Sequence, residues 1–326
     1  MGTKTVEVNH AQTLAVLREH ARPVLPEDTM AEAGRQVLLA ELIVMLEHEA
    51  GSRTGDDIED VHDMRVAIRR MRSAFNLLTA YYKPKTIRPF VEMLRRLARA
   101  LGAVRDLDVL IENLHAFGQT LETPEQQQAI KRLAKRLEKR RKAARARLIR
   151  VLDRDDYRAF VGAFTVFLTT PGMGARGISD DDIYPSRVRH LLPTMIYSHL
   201  GMVRAYDTVI AEADVPTLHA LRIEFKRLRY VVSMFGSVLG SSLKQFVAEL
   251  KTIQDYLGTM NDGHIAREQL RALLADASAP EAEVLRLYIA RLETEERELH
   301  AGFLPIWEKF NQKTVQRYLA SAVASI

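Results

Sequence analysis

Apolar residues recur at three- and four-residue spacing along almost the whole chain, the periodicity of amphipathic helices. The pattern predicts helices over 30–50, 61–82, 90–117, 125–152, 187–211, 217–239, 243–274 and 281–310, and no convincing run of strands. Turn chemistry marks the breaks. Pro84 and Pro89 are expected to separate two helices, Thr123 to cap a helix whose first turn holds Pro124, and Ser278 to precede Pro280 in the same way. The glycine-rich stretch TTPGMGARG at 169–177 reads as a linker near the middle of the chain. The expected organisation is an N-terminal arm or short helix over 1–28, a first helical bundle over 29–170, a linker over 171–185 and a second bundle over 186–326.

The two halves repeat each other. VHDMRVAIRRMRSAF (61–75) matches LHALRIEFKRLRYVV (218–232), placing His62 opposite His219 at an offset of 219 − 62 = 157. Arg65, Arg70 and Arg72 then meet Arg222, Arg227 and Arg229, and Arg69 meets Lys226. A second block, FVEMLRRLARALGAVRDLDV (90–109), matches FVAELKTIQDYLGTMNDGHI (246–265) at 258 − 102 = 156, aligning Gly102 with Gly258 and Asp106 with Asp262. Two blocks in the same order at nearly one offset imply two copies of one unit of about four helices, related by a pseudo-two-fold axis. The fold class is therefore all-α, two pseudo-symmetric four-helix bundles.

On a helix, positions three, four and seven apart share a face. His62, Arg65, Arg69 and Arg72 form one stripe beside an apolar face of Met64, Ile68, Met71, Phe75 and Leu78; His219, Arg222, Lys226 and Arg229 form the same stripe beside Leu221, Phe225, Leu228 and Val232. Like charges at this spacing repel by a few tenths of a kcal/mol per pair, so two matched stripes point to an anion. Arginine's planar fork suits phosphate oxygens, and an imidazole adds a donor. The competing reading is a helix laced by salt bridges, with Asp106, Asp108 and Asp262 as partners. The acid after each glycine is expected to orient an arginine of the stripe, and the glycine itself to mark a tight helix crossing or a local break. Arg95, Arg105 and Lys251 add further cations nearby.

Charge distribution sharpens this. The net charge is only +5, but KRLAKRLEKRRKAARARLIR (131–150) carries a single acid, Glu138. Lys131, Lys135, Lys139, Lys142 and Arg145 share one broad face; Arg132, Arg136, Arg140, Arg147 and Arg150 share another, with Leu133, Leu137 and Leu148 as core. One of these basic faces is expected to border the stripe. The corresponding helix of the second half carries Glu293, Glu295, Glu296 and Glu298, so the first half should bind anions more strongly. The absence of cysteine excludes disulfides, thiol catalysis and cysteine-ligated metals. No apolar run approaches the ~20 residues of a membrane span, and a cytoplasmic location without membrane contact is expected.

The paired motifs His62-x-x-Arg65-x-x-x-Arg69-Arg70-x-Arg72 with Leu101-Gly102-x-x-Arg105-Asp106, and His219-x-x-Arg222-x-x-x-Lys226-Arg227-x-Arg229 with Leu257-Gly258-x-x-Asn261-Asp262, resemble the CHAD family of conserved histidine α-helical domains. The resemblance spans nearly the whole chain. It implies two four-helix bundles whose basic residues line a central groove or pore that holds inorganic polyphosphate, with association with polyphosphate granules and their proteins. Some relatives carry a triphosphatase domain, but no Glu-x-Glu-x-Lys signature occurs here, so binding without hydrolysis is expected, with no cofactor and no metal. The stripes lack the interleaved aromatics that stack nucleic-acid bases, so nucleic acid is expected to bind weakly if at all. The rival readings are a nucleic-acid binder working through phosphate alone, an enzyme using His62 and His219 as acid–base groups, and an assembly factor docked on a granule through a partner protein.

Overall fold

The computed structural model describes residues 10–177 and 186–326; the arm residues 1–9 and the linker residues 178–185 lie outside the described residues. Among the described residues the chain is all-α, with α1 (His10–His20), α2 (Met30–Glu47), α3 (Glu49–Thr54), α4 (Ile58–Leu78), α5 (Pro84–Gly118), α6 (Pro124–Leu152), α7 (Asp155–Thr169), α8 (Val188–Arg204), α9 (Val215–Met234), α10 (Leu243–Leu274), α11 (Ala279–Ala301), α12 (Phe303–Phe310) and α13 (Lys313–Val323). Helices α4, α5, α6, α9, α10 and α11 stand where apolar periodicity puts them. Capping chemistry holds as well. Thr123 Oγ1 accepts from the Gln126 amide at 3.3 Å at the start of α6, and Ser278 and Glu281 close a capping box at the start of α11.

Several boundaries differ from expectation. Pro89 does not separate two helices; α5 opens at Pro84 and runs through Pro89. The 30–50 segment divides at His48, and the 281–310 segment at Gly302. Helices α7 and α13 are additional to the expected set. Residues 171–177 are not a free linker. Gly172 and Gly174 take positive φ of 73°, which an L side chain adopts only with strain. The turn they make is pinned to the α4–α5 connection, with the Lys83 amide donating to Gly174 O at 2.8 Å and the Arg176 amide to Tyr81 O at 2.9 Å.

The described chain falls into two compact units. The first comprises the described residues of Met1–Val109 and Glu138–Leu191, the second Leu110–Leu137 and Leu192–Ile326. This departs from two consecutive bundles: the end of α5 and the start of α6, residues 110–137, belong with the second half. The reason lies in their apolar faces. Leu110, Ile111, Leu114, Phe117, Ile130 and Leu133 are buried, Phe117 stacks on Tyr288 with ring centres 4.2 Å apart, and Arg136 donates to the buried carboxylate of Glu281 at 3.2 Å.

In the first unit α2 packs along α4, burying Leu38, Leu42, Met64, Ile68 and Met71. An aromatic cluster of Phe75, Phe90, Phe160, Phe164 and Phe167 fills the remaining core, Phe90 and Phe164 being 4.8 Å apart. Helix α1 is docked: Leu17 is buried, and His10 reaches the carboxylate of Glu49 at 2.9 Å. That buried carboxylate also accepts from Arg53 at 2.9 Å and from Tyr157, so the charge is compensated where it would otherwise cost several kcal/mol. The second unit is built on α9 and α10 with α11–α13 around them. Phe225 meets Phe310 edge-on at 5.0 Å, and the buried Trp307 donates its ring N–H to Asp207 at 3.0 Å. Among the described residues no helix is long and apolar enough to cross a membrane.

Candidate anion-binding surface

Helix α4 buries Val61, Met64, Ile68, Met71 and Phe75, and this fixes the direction of its cations. His62, Arg65, Arg69 and Arg72 flank the buried face and are half-buried. Arg70 points elsewhere, exposed, and pairs with Glu41 of α2 at 3.3 Å. On α9 the pattern repeats with one change. Arg222, Lys226 and Arg229 are half-buried and His219 is exposed, while Arg227 lies off the stripe and pairs with Glu224 three residues earlier at 2.5 Å. Arg70 and Arg227 therefore fit the salt-bridge reading, as does Arg222, which stands 3.9 Å from Asp262.

In the first unit the stripe is joined by residues of α5 and α6. Arg105 of α5 has a side chain only 14% exposed and donates to Glu59 of α4 at 3.3 Å. Asp108, fully buried one turn on, accepts from Arg141 of α6 at 3.4 Å. Burial pushes the Asp108 carboxyl above the usual carboxylate range, and the guanidinium groups of Arg141, Arg105 and Arg145 pull it back. Arg145 lies with its guanidinium over Gly55, which has a left-handed φ of 69° and no Cβ to stand in the way. The result is five arginines, 65, 69, 105, 141 and 145, gathered around three nearby acids, Glu59, Asp106 and Asp108. Arg69 Nε, Arg141 Nε and both Nε and one terminal nitrogen of Arg145 are buried without an acceptor among the described residues. His62 sits in the same field. Burial first, and then Arg105, hold its pKa below the ordinary 6.5.

The basic helix contributes differently from the sequence pattern. Lys131, Lys135, Lys139 and Lys142 are all exposed. Arg145, expected on their face, instead turns inward with Arg141, a residue that pattern reading passes over. The signal for Arg141 was present: it stands four residues after Leu137 and seven before Leu148, both buried, and so flanks the core face. Of the outlying cations, Arg95 is exposed on α5, and Lys251 is exposed on α10, 3.7 Å from Asp255 of the same helix.

The acid after each glycine lies by a stripe arginine, as expected. Asp262 stands 3.9 Å from Arg222, and burial pushes the Asp106 carboxyl above the usual carboxylate range while Arg65 pulls it part of the way back. The glycines themselves mark neither a crossing nor a break. Helices α5 and α10 run uninterrupted through them, a Cβ on Gly258 would meet nothing within 4 Å, and one on Gly102 would come no nearer than 3.9 Å to Arg65 Nε.

The second unit inverts one part of the arrangement. Asp108 aligns with His264 (264 − 108 = 156), and Arg141 aligns with Glu296 (296 − 141 = 155, the offset between the first residues of α6 and α11). The Asp108–Arg141 pair is thus replaced by His264–Glu296, 3.9 Å apart, with Arg267 also bound to Glu296. A carboxylate stands where the first unit has a cation.

Comparison with known proteins agrees with this architecture. The family model described as CHAD domain matches residues 36–271. The chain is similar to the crystal structure of the CHAD domain from the plant Ricinus communis, with 20% identity, 94% of this chain and 95% of that chain covered, and a TM-score of 0.65. It is also similar to PptA from Streptomyces chartreusis, with 12% identity, 86% and 100% covered, and a TM-score of 0.64. None of the curated proteins compared matches the chain. With the family model covering most of its length and the fold shared with these structures, the chain belongs to the CHAD domain family.

Proposed function

We propose that the protein binds inorganic polyphosphate through its half-buried arginine stripes, chiefly on the first unit, and acts by binding rather than by catalysis. The observation that carries this reading is the convergence of Arg65, Arg69 and Arg105 with Arg141 and Arg145 around a smaller number of acids, with guanidinium donors left unsatisfied. Unsatisfied buried donors cost about 1–3 kcal/mol each, and an anionic oxygen removes that cost. Polyphosphate offers repeated anionic oxygens and no bases to read, which suits a surface rich in guanidinium groups and without stacking platforms. Exposed Lys131, Lys135, Lys139 and Lys142 add a longer-range field that draws a polyanion in. The reading extends to a cytoplasmic protein at polyphosphate granules, in contact with granule proteins. Nucleic acid would meet the same field weakly, through phosphate alone.

The test is a salt titration of polyphosphate affinity with duplex DNA and RNA as competitors, for wild type and for Arg65→Ala/Arg69→Ala/Arg222→Ala. The expected outcome is salt-sensitive binding that survives nucleic-acid competition and weakens at least about tenfold in the triple variant, the equivalent of one lost charge-assisted contact. Equal affinity for DNA, or no loss in the variant, would assign the stripes a structural role.

A further inference from the structure

Beside His219 and Arg222 the second unit holds an open cavity of about 520 Å³, lined by Val215, Leu218, Leu257, Met260 and Ile265 as well as by polar groups. Its chemistry is wrong for a bare phosphate chain. The walls are mostly aliphatic, and the polar groups, His219, Arg222, Asn261 and His264, stand among them. Arg222 stands 3.9 Å from the exposed Asp262, and Arg267, which also reaches the cavity, is bound to Glu296. The first unit differs at the matching positions. There, at the positions aligned with Pro216, Asn261 and His264, stand Glu59, Arg105 and Asp108, joined in the ion pairs Glu59–Arg105 and Asp108–Arg141. In the second unit the charged side chains are replaced by shorter or less charged ones, Glu296 replaces Arg141, and exposed Val215 and Ile265 are left facing solvent beside the stripe. The volume lies within the usual range for small-molecule sites, which combine apolar walls with a few polar groups.

We propose that this cavity binds a nucleoside polyphosphate. Its base and sugar would lie against Leu218, Leu257, Met260 and Ile265, and its phosphates would run from Arg222 along the stripe toward Lys226, one helical turn away. The inference rests on the reading of the stripe as a phosphate surface, and adds that the second unit prefers phosphates carrying an apolar body. A bare polyphosphate draws nothing from the aliphatic walls; a nucleotide uses both ends. The division follows the chemistry of the two units: charge density in the first, a mixed apolar and cationic site in the second.

The test reads the Met260 methyl resonance of the full-length protein, assigned through Met260→Leu, during titration with ATP, tripolyphosphate and adenosine. The variant is Val215→Ser/Ile265→Ser, which removes two exposed apolar walls and no charge, so folding is preserved. ATP is expected to shift the Met260 signal with an affinity about tenfold tighter than tripolyphosphate, adenosine to bind much more weakly than ATP, and the double variant to bring ATP to within about twofold of tripolyphosphate. The proposal is overturned if tripolyphosphate matches ATP in wild type, if adenosine matches ATP, or if the ATP preference survives in the variant. Long-chain polyphosphate titrated in parallel keeps the two readings apart. In the wild type, no preference for ATP over tripolyphosphate with long-chain polyphosphate binding intact removes this site alone, and an ATP preference with no long-chain polyphosphate binding removes the proposed function instead.

Discussion

At the scale of single residues, His62 carries a consequence for pH. Its pKa is held below 6.5 by burial and by Arg105, so the free protein keeps the imidazole neutral at pH 7. The unfolded chain takes up that proton as pH falls through about 6.5, so the contribution of His62 to folding is present above this value and is lost below it. Binding of a polyanion works the other way. It favours imidazolium, raises the pKa and takes up a proton, so polyphosphate affinity should tighten as pH falls from about 7.5 to 5.5, and His62→Gln should flatten that slope. Affinity measured at several pH values for both proteins checks this; an identical slope in the variant would remove His62 from the site. Gly102 and Gly258 make a second case. Glycine inside a helix costs about 1 kcal/mol relative to alanine, yet neither position needs the missing Cβ for packing. Gly258→Ala and Gly102→Ala should each therefore stabilise the protein by about 0.5–1 kcal/mol in urea unfolding. Gly102→Ala should at the same time weaken polyphosphate binding, because its methyl group would stand on the open surface beside Arg65.

Among the elements, α6 separates two kinds of cation. Arg141 and Arg145 flank its buried face and reach Asp108 of α5 and the turn at Gly55 before α4, whereas Lys131, Lys135, Lys139 and Lys142 stay in solvent. Exposed charges act through a screened field, and half-buried ones make contacts. Arg141→Ala/Arg145→Ala should thus lower polyphosphate affinity about tenfold or more at both low and high salt. Glutamine at the four lysines should lower it at low salt and leave it nearly unchanged near 1 M. Parallel titrations at the two ionic strengths distinguish these outcomes. The same helix shows what a sequence discloses and what it withholds. The period of the leucines locates α6 and its core face, and the matched motifs locate α4 and α9 with their stripes, because each of these is a local property of one helix. Depth is not local. Arg145 shares a wheel sector with the lysines but lies inward, in space left open because Gly55, a neighbour ninety residues away in sequence, has no Cβ. Arg70 shares the motif with Arg69 but leaves the site for Glu41 of α2. The membership of residues 110–137 in the second unit likewise depends on which apolar partner, Tyr288 among them, receives Phe117, and no periodicity encodes that choice.

For the molecule as a whole, the two units carry matched sequence motifs and differ in charge. The first places Arg141 beside Asp108 and brings Arg145 to the same cluster; the second places Glu296 beside His264 and binds Arg267 and, one turn on, commits Arg271 to Glu293 at 2.8 Å. In the first unit several guanidinium donors of this cluster lack acceptors, whereas in the second Arg267 and Arg271, beside the stripe, are paired with acids of α11. If anion binding follows local charge rather than the repeated motif, equal numbers of substitutions in the two halves should have unequal effects. Arg65→Ala/Arg69→Ala/Arg105→Ala should cost roughly 2–4 kcal/mol of polyphosphate binding, since each lost charge-assisted bond is worth about 1.5–3 kcal/mol and neighbouring losses are not additive. Arg222→Ala/Lys226→Ala/Arg229→Ala should cost less than about 1 kcal/mol. Calorimetric titration of both triple variants at one salt concentration, with thermal unfolding to confirm that each remains folded, decides the matter. Equal losses would mean that the stripe alone, present in both units, sets the affinity, and that the exchange of Arg141 for Glu296 between the halves has no bearing on the bound chain.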